Sequence, residues 1–228
     1  MAGYQTKRER IVIRGAASLL IRSLFDRLQY DDPRGEAEAA GFSAATWPLF
    51  GLLWPSGLQL AAQMAARPLR ANERILEVGC GLGLASLVCH RQGADITASD
   101  SHPLAGHFLR RNARLNGLRP MDYRHGRWTD PTALSAAHSS RDLQGRFDLI
   151  IGSDVLYERD EPGHLARFIA RHASPEAEIL IVDPNRGNRA AFTRRMQAQG
   201  YVLRETALST PEADGLPYRG RLLHYARC

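Results

Sequence analysis

Cysteine is scarce in this 228-residue chain: Cys80, Cys89 and Cys228 are the only three, with no C-x-x-C pair and no histidines at finger spacing. That scarcity argues against a disulfide framework or a structural zinc and points to a reducing, cytoplasmic home. No run approaches the roughly 18 consecutive apolar residues of a membrane span, so no membrane partner is expected. The basic N-terminus, MAGYQTKRER, leads into a stretch broken by Arg14, Arg22 and Asp26, a poor secretory signal. Internal repeats and low-complexity linkers are missing too. So is any dense basic tract with interleaved aromatics: the net charge of +6 is spread along the whole length. A solvated arginine-rich surface accounts for that charge, and nucleic acid is not the expected partner.

What is present is an ordinary globular balance, 44% hydrophobic and 24% charged, which suits one compact domain with its own core. Apolar residues at Ala17, Leu20, Ile21, Leu24, Phe25 and Leu28 trace a helical stripe. A loop follows over DDPRGEAEAAGFS, then the segment WPLFGLLWPSG, dense in aromatics, proline and glycine. The next helix is expected to open at Ser56 as N-cap and to bury Leu58, Ala61, Ala62 and Ala65. Residues 1–71 thus read as an N-terminal helical extension packed on a core of residues 72–228.

Beyond Asn72 the pattern alternates. Strands are expected at Arg74–Val78, Ala94–Ser99, Phe147–Ser153 and Glu178–Val182, the third of them central. Helices are expected through Leu87, over Pro103–Asn116 and near Asn188–Gln199. Such alternation implies an α/β fold, a mostly parallel sheet with helices on both faces. YVLRETAL and RLLHYAR, parted by a loop with proline and glycine, predict an antiparallel C-terminal hairpin, which a plain dinucleotide-binding fold lacks.

The strongest local signal is ILEVGCGLGLASL, where Glu77, Gly79, Gly81 and Gly83 form E-x-G-x-G-x-G. Glycines at a strand end let the backbone turn sharply and approach a ligand, with helix N–H groups aimed at it. Dinucleotide binders place their third glycine one residue later; here that place is Leu84. Asp100 stands about 20 residues beyond the loop, where a ribose-binding carboxylate belongs. An isolated Asp before His102 and Pro103 reads equally well as a helix cap; the preceding glycine loop favours ribose binding. Cys80 has no evident partner base and is explained as a small residue between glycines.

Together with LLWPSGLQLA, ITASD, GRW, FDLIIGSDVLY and IVDPNR, in this order from Leu52 to Arg186, the chain resembles the Rossmann-like seven-β-strand methyltransferases. Within them it is similar to the protein lysine methyltransferases, the branch that includes the enzyme acting on the electron transfer flavoprotein β subunit. The resemblance implies S-adenosyl-L-methionine as cofactor, S-adenosyl-L-homocysteine as product, no metal, and a protein substrate. It implies that Gly79, Cys80 and Gly81 line the methionine and ribose part and that Asp100 holds the ribose. Trp54 would wall the methionine end, Trp128 would lie against the adenine, and Ser153 would present backbone. Core packing is the alternative for both tryptophans, and Trp47 is left without a role.

The resemblance further implies that the D-x-x-Y element, Asp154 and Tyr157, faces the acceptor lysine, the carboxylate orienting the amine and the ring walling it. Asp183, Asn185 and Arg186 either shape the acceptor channel, with Arg186 meeting an acidic partner surface, or form a proline turn with Asp183 as a cap. The flavoprotein-directed enzymes carry a similar D-P-x-R element. No proline-aromatic motif follows the central strand, which disfavours base methylation. A small-molecule N- or O-methyltransferase, a histidine-directed enzyme, and a non-catalytic methyltransferase-like binding module are the alternatives. The glycine register and the hairpin disfavour a dehydrogenase.

Overall fold

A computed structural model describes residues 3–128, 142–157, 160, 162–211 and 217–227. Nine strands and six α-helices are assigned among them. Seven strands form one sheet: β3 (Arg74–Val78), β4 (Asp95–Asp100), β5 (Asp122–His125), β6 (Phe147–Ser153), β7 (Ala173–Asp183), β8 (Tyr201–Pro211) and β9 (Pro217–Arg227). Their order is β5-β4-β3-β6-β7-β9-β8, with β6 in the middle as expected. Pairing is parallel until β9, which runs antiparallel to both β7 and β8. The expected C-terminal hairpin is therefore present; its connecting loop, residues 212–216, and Cys228 lie outside the described residues.

The sheet separates two cores, because alternate side chains leave a strand on opposite faces. Ile75, Leu149, Ile151, Leu180 and Val182 pack with α2 (Pro55–Ala66), α3 (Leu84–Arg91) and α4 (Ala105–Leu115). Leu76, Val78, Ile150, Ile179 and Ile181 pack with α5 (His164–His172) and α6 (Arg189–Ala198). Each such fully buried aliphatic stabilises the fold by roughly 1.5–3 kcal/mol over the exposed chain. Two further elements, α5 and the short edge strand β5, lie where no element is expected from the sequence. α5 follows Gly163, a left-handed residue, and Asp160 accepts the N–H groups of His164 (2.7 Å) and Leu165 (2.9 Å).

The N-terminal extension is not the expected helix. Residues Thr6–Ile11 (β1) and Leu19–Leu24 (β2) form an antiparallel hairpin. The true period is two: Leu19 and Ile21 are buried, as is Ser23, while Phe25 and Leu28 of the supposed stripe are exposed. What decides the matter is distant in sequence. Asn112 on α4 and Asn116, its C-cap, pair with the backbone of β2 as a strand would. Their Oδ1 atoms accept from Arg22 N (2.8 Å) and Leu20 N (2.9 Å), and their amides donate back to the same residues' carbonyls. Among the described residues the loop that follows contains one turn of helix, α1 (Glu36–Ala39), and WPLFG forms a 3-10 turn over Trp47–Gly51.

Ser56 does not cap α2. Pro55 takes the first helical position, where its fixed φ suits the helix, and Trp54 precedes it in an extended conformation. Ser56 is buried and meets the Tyr218 hydroxyl at 3.0 Å. The buried face is correspondingly rotated to Gln59, Leu60, Ala61, Ala62 and Met64, so Leu58 and Ala65 are only partly covered.

Candidate active site

At the carboxyl end of β3 the chain turns through Gly79, Gly81 and Gly83, all with positive φ (60°, 51° and 72°). A side chain is barred there by contact as well as by conformation. A Cβ on Gly79 would stand 2.9 Å from Val155 Cγ1 and 3.4 Å from the Trp128 ring, and one on Gly81 2.9 Å from the Phe50 carbonyl oxygen. Gly83 faces Leu109 in the core and serves the turn into α3; it does not line the cavity in front of the loop.

That cavity, about 1180 Å³, runs across the carboxyl ends of the middle strands. Glu77, Gly79, Cys80, Gly81, Asp100, Trp54, Trp128, Ser153, Asp154, Tyr157 and Arg186 all border it. Asp183 and Asn185 do not. Asp183 is fully buried; its Oδ2 accepts the Arg186 N–H at 2.9 Å and its Oδ1 has no partner. Asn185 sits at φ 63° and reaches back toward the Arg219 carbonyl (3.4 Å). Of the DPNR residues, Asp183 and Asn185 belong to the turn and only Arg186 reaches the cavity. No Asp183 cap is made: α6 opens at Asn188 without a side-chain cap.

Asp100 does not cap α4, whose N-cap is Leu104 without a side-chain bond. Oδ1 accepts the His102 N–H and Oδ2 the Gly81 N–H, each at 2.8 Å, so it shapes the turn after β4 and pins the glycine loop. Each carboxylate oxygen has a second lone pair, leaving acceptor capacity toward the cavity. Burial pushes its pKa up, against the pull of those backbone donors. Glu77, behind the loop, accepts the Ser86 N–H (2.8 Å) and the Ser86 hydroxyl; burial raises its pKa to about 7. The Cys80 thiol is buried and pushed well up by desolvation, the opposite of an activated nucleophile.

Two tryptophans wall the cavity. The Trp54 indole N–H donates to the Leu49 carbonyl at 2.9 Å, which fixes its plane. Trp128 packs beside Gly79 and against the core around Val155. Trp47, by contrast, is fully buried among Tyr4, Tyr30, Phe50 and His102. This aromatic cluster was missed from sequence, as were the cavity-lining Phe42 and Phe50. Phe50 stacks on His102 at 3.8 Å, so the N-terminal segment leans on the turn that Asp100 makes. Only proximity in space reveals this, since residue 50 and residue 102 share no motif.

Asp154 leaves β6 at φ 54° and donates its N–H to the Val182 carbonyl (2.9 Å). Its carboxylate is engaged in two-point fashion by Arg186: Nε to Oδ1 at 2.9 Å and a terminal nitrogen to Oδ2 at 3.1 Å. Among the described residues no cluster of His, Cys, Asp or Glu is placed to hold a metal ion, and no helix is long and apolar enough to cross a membrane.

A family model described as a methyltransferase domain matches residues 54–216. The chain belongs to the methyltransferase-domain family. The electron transfer flavoprotein beta subunit lysine methyltransferase of Rattus norvegicus is 29% identical to this methyltransferase over 167 residues, 72% of this chain and 60% of that protein. A ubiquinone biosynthesis O-methyltransferase of Xanthomonas oryzae pv. oryzae is 31% identical over 144 residues, 62% of this chain and 55% of that protein. The chain thus spans about 60% of the length of the first of these relatives. Among solved structures, magnesium protoporphyrin IX methyltransferase from Synechocystis PCC 6803 with bound SAM superposes with a TM-score of 0.55 at 17% identity. It covers 75% of this chain and 78% of that one, a likeness of fold. The expected enzyme class, a methyltransferase, is the one that the family match supports.

Proposed function

We propose that this methyltransferase acts on lysine side chains of another protein. The observation that carries the reading is that Asp154 and Tyr157 border the same cavity as Gly79, Cys80, Gly81 and Asp100, so acceptor and cofactor groups share one space. Similarity to a lysine methyltransferase over 72% of the chain supports it. S-adenosylmethionine, when bound, supplies a methyl group activated on a sulfonium.

The residues present fit that molecule. The side-chain-free loop admits it, Asp100 retains acceptor capacity for ribose hydroxyls, and Trp54 and Trp128 offer flat apolar walls, where an indole stacks well on a base. The volume exceeds the 300–1000 Å³ of an ordinary ligand pocket, about enough for a nucleoside and an entering side chain. The chain's own task is to position and desolvate the amine. A free lysine is neutral in only about one molecule in 2,500 at pH 7, and only the neutral amine has a lone pair to offer. Asp154 orients the amine N–H, Tyr157 walls it, and the proton leaves to water.

The test is incubation of the full chain with methyl-labelled S-adenosylmethionine and an extract of the source organism, with electron transfer flavoprotein β subunit as the first purified acceptor. Label on lysine in a protein band, located by mass spectrometry, is the expected result. Label confined to small molecules would overturn the reading in favour of the second one, a small-molecule methyltransferase, which similarity to the ubiquinone O-methyltransferase favours.

A further inference from the structure

If Asp154 faced the acceptor as a bare carboxylate it would work against the reaction. A negative charge beside a lysine stabilises the ammonium and raises its pKa. The structure answers this with Arg186. Its guanidinium grips both oxygens of Asp154, at 2.9 and 3.1 Å, the two-point geometry that arginine offers and lysine does not. The pair sits at the mouth, the Asp154 side chain 10% exposed and that of Arg186 40%. It is also built in. Arg186 N donates to buried Asp183, Asp154 N donates to Val182, and Asn188 Nδ2 donates to the Leu156 carbonyl (2.9 Å), so the loops after β6 and β7 are clasped together.

We propose that Arg186 is a positioning residue: it holds Asp154 as a neutralised pair, so that the acceptor lysine enters beside an ion pair instead of a lone carboxylate and loses its proton more readily. This rests on the lysine reading above. In the step itself one N–H bond of the ammonium breaks, the proton passes to water, and the electron pair stays on nitrogen. Among the described residues the other charges bordering the cavity do not reverse the sign. Asp160, before α5, is a further carboxylate on the cavity, but both of its oxygens are directed to the N–H groups of His164 and Leu165. Arg127 on the facing wall and Arg194 and Arg195 on α6 add positive charge, and His164 adds none that is negative. Asp183 lies beneath the loop, buried, with Arg186 N on one oxygen.

The experiment compares the full chain with Arg186→Gln and Arg186→Lys in two ways. First, kcat is followed from pH 6.5 to 10.5 at saturating cofactor and acceptor, since kcat reports ionisations in the bound complex. The Gln variant is expected to shift the rising limb up by about one pH unit, a roughly tenfold loss at pH 7 that closes toward pH 10. The Lys variant, keeping charge without the fork, holds the midpoint but with a lower plateau. A loss by the same factor at every pH would mean a merely structural role and would overturn the proposal. Second, n-butylammonium is titrated at pH 7 by NMR, a readout that needs no turnover. Arg186→Gln is expected to bind it about tenfold more tightly than the parent, a gain that the added Asp154→Asn change removes. No gain overturns the proposal even where the parent methylates lysine. Absence of lysine methylation by the parent, with the gain present, counts against the lysine reading alone.

Discussion

The hydroxyls of Ser56 and Tyr218 meet at 3.0 Å inside the protein, joining the first turn of α2 to the last strand of the sheet across 162 residues of chain. Ser56 is 1% and Tyr218 5% exposed, so neither can turn to bulk water. Removing the Tyr218 hydroxyl takes a partner from the buried Ser56 hydroxyl, at a cost of about 1–3 kcal/mol. Tyr218→Phe is therefore expected to lower unfolding stability by that amount, and Ser56→Ala in the Tyr218→Phe background to cost less than Ser56→Ala alone. Urea unfolding of the four proteins measures the coupling; strict additivity would show that the pair is not an energetic unit.

Glu77 predicts a pH dependence. Its folded pKa is raised from 4.5 to about 7, chiefly by burial, with nearby Asp100 adding to it. Below pH 4.5 folded and unfolded chains both hold the proton, and the contribution to stability is intact. As pH climbs through the window the unfolded chain ionises first, so stability falls, and above pH 7 the loss is complete at about 3 kcal/mol. Glu77→Gln keeps an acceptor for Ser86 and cannot ionise. Its stability, measured by urea at pH 5 and pH 8, should drop less between the two than that of the parent by an amount of this order.

The sheet was legible because each parallel strand is a short apolar run punctuated by glycine or polar residues, and β3 and β6 came out at their sequence-read ends. The glycine loop and Asp100 were legible for a related reason: glycines at positive φ and a strand-end carboxylate are local requirements that leave local marks. The N-terminal hairpin was not, since LLIRSL fits a helical stripe as well as a strand. Its strand state is settled by Asn112 and Asn116, about 90 residues away. Asp183, Asn185 and Arg186 share one tetrapeptide, yet a single positive-φ residue between them sends only the last toward the cavity.

The glycine loop separates two costs that are usually confounded. Gly81 and Gly93 both have positive φ, 51° and 90°, but a Cβ on Gly81 meets the Phe50 carbonyl at 2.9 Å whereas one on Gly93 meets nothing within 4 Å. Each alanine substitution is expected to cost about 1–2 kcal/mol of backbone strain. Gly81→Ala should also weaken S-adenosylhomocysteine binding by at least about tenfold, because it pushes Phe50 and the loop apart, while Gly93→Ala should leave affinity unchanged. Calorimetry on both variants checks this, and equal effects on affinity would place the ligand elsewhere.

Asp100 and Asp154 both border the cavity, and their substitutions should fail differently. Asp100→Ala releases the Gly81 and His102 N–H groups and removes the acceptor proposed for the ribose. Hydrogen bonds to a charged group are worth about 1.5–3 kcal/mol, so S-adenosylhomocysteine affinity should fall roughly 10- to 100-fold. Asp154→Asn tolerates the left-handed backbone at φ 54° but breaks the pair with Arg186. It should hold S-adenosylhomocysteine within about a factor of two and lose the proposed lysine methylation by about 100-fold, the scale of a positioned polar group acting on the acceptor. Binding calorimetry beside a single-turnover methylation assay distinguishes the two. A matching loss of affinity in Asp154→Asn would mean that this carboxylate supports the cofactor and that the acceptor enters by another path.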